Sequence, residues 1–258
     1  MLTQNVWGKA PPEIAAAALA RVLDHDPDVV ALQEWPAARD RLLTHSGAFV
    51  RMPGLRRAVR RRPWSPVAGM VWSRPVLRSD GPVGLRADRY ELLGCRAVTL
   101  TGWRRVRPTP THTDAVMRPN RATLVVARDH ARGEDVAVIG YHLWAGVQVR
   151  GRYSERPEDR ARVAGHRAQA AALGRLVAEQ LDRGRVVYAL GDSNFDGLTL
   201  PGVESAWSGR EREPRGTIQA SRRKIDDVFG PGPAEEVVLV THPEEAVDHQ
   251  GVLAVRRR

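Results

Sequence analysis

Val186-Val187-Tyr188-Ala189-Leu190 is a short apolar run that stops on Gly191-Asp192-Ser193-Asn194. The run is too short for a helix and reads as a strand, so Asp192 and Asn194 are delivered together to the edge of a sheet. At such an edge a carboxylate can take a proton from water or orient it, while an amide can hold a phosphoryl oxygen without adding negative charge. Gly-Asp-Ser-Asn is also good turn chemistry, so the company these residues keep has to decide between the two uses.

Three further stations supply that company. Leu2-Thr3-Gln4-Asn5-Val6-Trp7 reads as a strand closing on an Asn. Asp28-Val29-Val30-Ala31-Leu32-Gln33-Glu34 reads as a central strand, apolar on both faces, closing on a Glu. Asp248-His249 immediately precedes a last apolar run, Val252-Leu253-Ala254-Val255. With Gly-Asp-x-Asn, this order resembles the endonuclease/exonuclease/phosphatase superfamily, whose members carry an Asn on the first strand, Leu-Gln-Glu, a His, Gly-Asp-x-Asn and Asp-His in succession. The resemblance spans nearly the whole chain. It implies an α/β fold, a four-layered DNase I-like sandwich in which two mixed β-sheets pack face to face with helices outside. It also implies a metal-dependent phosphoesterase.

Composition sets the bounds. At 258 residues and 42% hydrophobic, the chain suffices for one sizeable core, and residues 1–258 are expected to form a single domain. There is no run of about 18 apolar residues, and Leu2 already enters a strand, so the chain reads as a cytoplasmic protein without a membrane span, and a monomer is expected. A lone Cys95 excludes an intramolecular disulfide and a thiolate metal cluster, and reads as a small buried residue.

The net charge of +10 points to a polyanionic partner, because cationic side chains that neutralise phosphates release counterions. Only Lys9 and Lys224 of the 40 basic residues are lysines, so a GC-rich codon supply explains part of that charge. The arginines cluster nonetheless. Arg51, Arg56, Arg57, Arg60, Arg61 and Arg62 share a Pro- and Gly-containing loop next to Trp64 and Trp72, whose rings could stack on bases or pack in a core. A second group follows His142 and runs from Arg150 to Arg167, and Arg256-Arg257-Arg258 reads as a solvated tail.

Between the stations the pattern alternates strands with helices. Pro11-Pro12-Glu13 opens a helix with an apolar stripe at Ile14, Ala18, Leu19 and Val22, and a second helix is expected over 37–43. Strands are expected at 69–76, where Gly-Met-Val-Trp-Ser-Arg-Pro-Val also resembles a family strand, and at 95–100, 122–127 and 136–141. Residues 104–118 read as loop. The longest helix spans 158–181, and the closing strands lie at 225–229, 236–240 and 251–255.

Glu34 at the end of an apolar strand is costly to bury ionised without a positive partner, and Mg2+ or Mn2+, which prefers oxygen ligands, meets that need with Asn5 and Asp248 as co-ligands. His249 would donate to a phosphate oxygen, with Asp226 holding its ring. Asp227 competes for that role, since spacing does not separate the two. His142 resembles the family's His on the preceding central strand and would contact phosphate or leaving group. His25, His45, His112, His130, His166 and His242 receive no role. Val247 stands where many family members have a small polar residue, and the Tyr station of the abasic-site nucleases is missing. The resulting expectation is phosphodiester hydrolysis of DNA or RNA by directly attacking water. A small phosphoester or phosphoinositide substrate is the first alternative, and a non-catalytic nucleic-acid-binding protein is the second.

Overall fold

The structure is a computed structural model that describes residues 1–43, 47–52, 69–75, 81–109, 113–210, 216–218, 222–242 and 248–256. The first apolar segments form β1 (Leu2–Asn5), α1 (Pro12–Asp24) and β2 (Val29–Gln33). The expected second helix is a 3-10 turn, Ala37–Arg39, running into α2 (Asp40–Leu43). Then come β3 (Gly47–Met52), β4 (Met70–Pro75), β5 (Val83–Arg86) and the long β6 (Tyr90–Thr101). The stretch expected to be loop carries a small ribbon of β7 (Arg104–Arg105) and β8 (Val116–Met117), which pair antiparallel. It is followed by β9 (Asn120–Asp129), β10 (Glu134–His142), the short pair β11 (Gln148–Val149) and β12 (Arg152–Tyr153), and α3 (Arg160–Asp182). The chain closes with β13 (Val186–Asp192), β14 (Asp226–Phe229), β15 (Glu236–Val240) and β16 (Gly251–Val255).

Two mixed sheets result, ordered β15-β16-β1-β2-β5-β4-β3 and β14-β13-β10-β9-β6. Their residues alternate between an inner and an outer face, as the two-residue period of a strand requires. Val29 and Ala31 of β2 meet Val136 and Val138 of β10 in the core between the sheets, while Val30 and Leu32 turn outward beneath Ala15, Ala18 and Val22 of α1. On the other flank Ala137, Ile139 and Tyr141 turn outward beneath Leu173, Leu176 and Val177 of α3. Each fully buried side chain of this kind stabilises by about 1.5–3 kcal/mol relative to exposure, which is why β2 is apolar from Val29 to Leu32 and β13 from Val186 to Leu190. This is the four-layered sandwich expected from the sequence. Among the described residues no helix is long and apolar enough to cross a membrane.

Core packing, the use expected of a lone Trp over base stacking, holds for Trp72, while other surface expectations change. Trp72 is buried at 0% exposure in the core under α1. Trp64 and most of the Arg-rich loop, with His45 and Val247, lie outside the described residues. Arg162, in the second arginine group, is buried with one N–H on the Met117 sulfur. Arg256 is no part of a solvated tail, because it donates to the carbonyls of Glu204 and Val228 and so ties down the end of β16. Cys95 is only half-buried.

Candidate active site

Strand direction brings the candidate residues to one edge. β1 and β2 are parallel with Asn5 beside Gln33, so Glu34 leaves the sheet next to Asn5. In the other sheet β10 and β13 are parallel with His142 beside Asp192, and β14 runs back against β13 with Asp226 opposite Asp192. β16 runs antiparallel to β1, which puts the preceding Asp248-His249 at the Asn5 end. Gly191 is required by this packing, since a Cβ there would lie 1.9 Å from the Tyr141 carbonyl oxygen.

The backbone at this edge is strained. Trp7, Glu34 and Asn194 have φ values of 49°, 51° and 51°, in the left-handed region that side chains other than glycine populate only at a cost of about 1–3 kcal/mol. Local hydrogen bonds hold them. Trp7 N–H donates to Asn5 Oδ1 at 3.0 Å, Gly8 N–H to Glu34 Oε2 at 2.9 Å and Asn194 N–H to Asp192 Oδ1 at 2.7 Å.

Asn5 Nδ2 donates to Glu34 Oε1 at 3.2 Å and to Asp192 Oδ2 at 3.0 Å, joining the two sheets at the site. His142 Nε2 lies 3.6 Å from Asp192 Oδ2 and 4.0 Å from Glu34 Oε1. His249 approaches from the other side, with Nε2 at 3.9 Å from Asp192 Oδ2 and Nδ1 at 2.8 Å from Asp226 Oδ2. Asp227 turns the opposite way, accepting from Ser205 Oγ and Ala206 N–H, so the choice left open by spacing falls on Asp226. Burial alone would lower the His249 imidazole, but the adjacent Asp226, with Asp192 and Asp248, outweighs it and raises the ring to about 10. Burial also pushes the Asp226 carboxyl up, and His249 pulls it back.

These groups open on a cleft of about 1300 Å³, which Asp248 and Asn194 also line. Glu34, Asp192 and Asp248 present carboxylate oxygens to it, and no thiolate is near. Such a donor set fits a hard divalent ion such as Mg2+ or Mn2+. Among the described residues, Asp192, Asp226 and His249 bring one ligand atom each within 4.8 Å of the others. Asn5, which the sequence sets among the metal ligands, turns its amide nitrogen to the carboxylates and its oxygen to Trp7 N–H.

The structure adds residues the sequence did not single out. His166 of α3, given no role above, points Nε2 at the Ser193 carbonyl at 2.7 Å and Nδ1 at the Tyr153 hydroxyl at 3.1 Å. It thereby anchors the Asp192–Asn194 turn to the longest helix. Arg39 donates to the carbonyls of Trp7, Gly8 and Ala10, fixing the loop after β1. Asn120 donates to the His142 carbonyl at 2.6 Å. Gln169 of the same helix as His166 accepts from Trp144 N–H, and no strand-end motif marks any of these residues in the sequence. A lone His or Arg carries no comparable signal.

Solved structures with this architecture have little sequence in common with the chain. TDP2 of D. rerio complexed with single strand DNA product superposes with a TM-score of 0.60 at 15% identity, over 97% of this chain and 95% of that one. The endonuclease/exonuclease/phosphatase from Bacteroides vulgatus gives 0.62 at 15% identity, over 98% and 96%. The human Nocturnin catalytic domain with bound sulfate anion gives 0.57 at 16% identity, over 98% and 91%. No curated protein matches by sequence. Residues 2–249 match the Endonuclease/Exonuclease/phosphatase family as a whole, and the chain belongs to that family.

Proposed function

We propose that the chain is a divalent-metal-dependent phosphodiester hydrolase acting on DNA or RNA, working as a single-domain cytoplasmic monomer. The observation that carries this reading is the convergence of Glu34, Asp192, Asn5, His142 and His249, from two sheets, within 4.0 Å contacts at one cleft. In this reading Asp192 orients the attacking water and takes its proton. As the water oxygen bonds to phosphorus, the bond from phosphorus to the leaving oxygen breaks in line with it, without a covalent enzyme intermediate. Asn194, anchored by one amide N–H on the Leu143 carbonyl at 3.0 Å, has a second N–H to offer a phosphate oxygen. His249, held by Asp226, donates through Nε2 to the charge that builds on the phosphate, and His142 contacts the phosphate or the leaving group. When bound, Mg2+ or Mn2+ held by Glu34 and Asp248, with Asn5 bonded to Glu34, supplies Lewis-acid polarisation of the phosphate and of the leaving oxygen.

Two observations favour nucleic acid over a small phosphoester: the charge of +10 and the single strand DNA product named for the TDP2 structure. The test is product release from plasmid DNA, single-stranded DNA, RNA and bis-p-nitrophenyl phosphate in Mg2+, Mn2+ and EDTA, comparing wild type with Asp192→Ala. Metal-dependent cleavage of nucleic acid, lost in the variant and falling steeply with salt, is expected. Cleavage of the small diester alone would move the substrate to small phosphoesters. Nucleic-acid binding without cleavage in any metal would leave a binding protein.

A further inference from the structure

Six tryptophans fall among the described residues, and four of them, Trp35, Trp72, Trp144 and Trp207, are 7% exposed or less. The other two are Trp103, 69% exposed, and Trp7, 40% exposed. Both line the cleft that holds Asp192 and His249. Leaving an indole in water forgoes one of the largest burial gains a side chain offers, so two exposed indoles on the rim of one cleft call for a ligand face. Trp7 is also held in a left-handed backbone conformation by Arg39 on its carbonyl and Asn5 on its N–H. Such strain on a bulky residue persists where surrounding bonds impose it, and it gathers at ligand sites.

Trp103 leads into the β7–β8 ribbon, closed by Val106 N–H on the Ala115 carbonyl at 3.0 Å. Arg104, Arg105, Arg107 and Arg118 are exposed on and beside this ribbon, against one acidic residue, Asp114. Arg118 lines the active cleft itself, whereas Arg107 lines an adjoining groove of about 730 Å³ with Arg156 and Arg223, against Glu158 and the buried Asp159, whose carboxylate is taken by Ser154. Asn194 belongs to both, so the groove continues from the phosphate position of the proposed reaction.

We propose that the β7–β8 ribbon and Trp7 form a base-stacking clamp, which makes the substrate of this cleft a single strand with unpaired, unstacked bases. The inference rests on the phosphodiesterase reading of the same site. The arginines track the backbone from Asn194 along the groove, while the indoles take base faces. In a duplex those faces are covered by neighbouring base pairs, so only an unpaired strand gains from both tryptophans. Stacking is also tolerant of sequence, because every base has a flat π-face.

The test is anisotropy of a labelled single strand about a dozen nucleotides long, in EDTA so that nothing is cut, against its duplex and against a fully abasic strand with the same phosphates. Wild type is expected to bind the base-bearing strand about tenfold or more tighter than the abasic strand. Trp103→Ala and Trp7→Ala should each remove most of that gap by weakening the base-bearing strand only. Trp103→Phe should restore part of it, and Leu93→Ala, at an exposed site on β6, should leave it intact. Circular dichroism checks that each variant is folded, and Trp103→Ala, on an exposed ribbon, carries the test alone if Trp7→Ala does not fold. Equal binding of base-bearing and abasic strands by wild type, or a full gap in folded Trp103→Ala, overturns the clamp. Hydrolysis of bis-p-nitrophenyl phosphate by wild type is measured in parallel. If the diester is cleaved without base-dependent binding, the clamp fails and the phosphodiesterase reading stands. Base-dependent binding with no cleavage in any metal has the opposite meaning.

Discussion

Asn5 Nδ2 and Asp192 Oδ2, 187 residues apart in sequence, lie 3.0 Å from each other and tie the end of one sheet to the end of the other. The same amide holds Glu34, so one side chain spaces two carboxylates that would otherwise repel. Asn5→Ala is expected to lower kcat on a phosphodiester by roughly 10²-fold. It should also destabilise the metal-free protein by about 1–3 kcal/mol, since buried acceptors lose their donor. Steady-state kinetics and urea unfolding read the two effects, and wild-type kcat in a folded variant would remove Asn5 from the site.

The imidazole of His249 supplies a pH test in metal-free protein. Its pKa stands at about 10 against an ordinary 6.5, because Asp226 outweighs burial. The protonated ring therefore contributes its full stabilisation below about pH 6.5 and loses it as pH climbs through about 10. In Asp226→Asn burial is opposed only by Asp192 and Asp248, and the midpoint followed by NMR should drop by several units. An unchanged midpoint would mean that Asp226 does not hold the ring.

Asp227, one residue beyond Asp226, also loses stability as pH rises, but here because burial favours its neutral form. Burial raises its carboxyl from 3.8 to about 6, against the pull of Ser205 and the Val228 and Ala206 N–H groups. A carboxyl raised in the folded state favours folding in its protonated form. Stability is then highest below about pH 3.8 and declines until about pH 6, by about 3 kcal/mol from this group. Asp227→Asn keeps an oxygen for the two N–H donors and should flatten that decline in unfolding curves taken between pH 4 and 6. The same slope in the variant would assign it to another group.

Neutral His166 bridges Ser193 and Tyr153, and burial lowers its pKa, only partly offset by the Ser193 carbonyl. It acts as a positioning residue, because it touches the Asp192–Asn194 turn and not the reacting atoms. His166→Ala should lower kcat by about tenfold or more with KM little changed, since small displacements of a catalytic group are costly. His166→Gln, which keeps an N–H near the Ser193 carbonyl, should recover most of the loss. A purely structural role predicts lower thermal stability in both variants at unchanged kcat.

The parts of the site legible in sequence share one property. Glu34, Asp192 and Asp248 each stand where an apolar run ends or is about to begin, and Asn5 closes a short buried strand, so each marks the edge of a sheet. β3 and β5 carry no unbroken apolar run, because Gly47 and Arg51 interrupt one and Gly84 and Arg86 the other. The two-residue strands of the β7–β8 ribbon are below the length of any periodic pattern, so the Trp103 arm looked like loop.

The order of the central strands' sequences, the polar residues at their ends and the α/β class all followed from the chain alone, because burial on both faces imposes a local, readable pattern. Tertiary structure chose Asp226 over Asp227, since adjacent residues of a strand point to opposite faces and only packing says which face meets His249. It likewise set His166 against Ser193 and left Trp7 and Trp103 on the cleft rim while burying Trp72. Those outcomes depend on which distant segments come to lie beside a residue, and nothing in the residue's own neighbourhood of sequence carries that information.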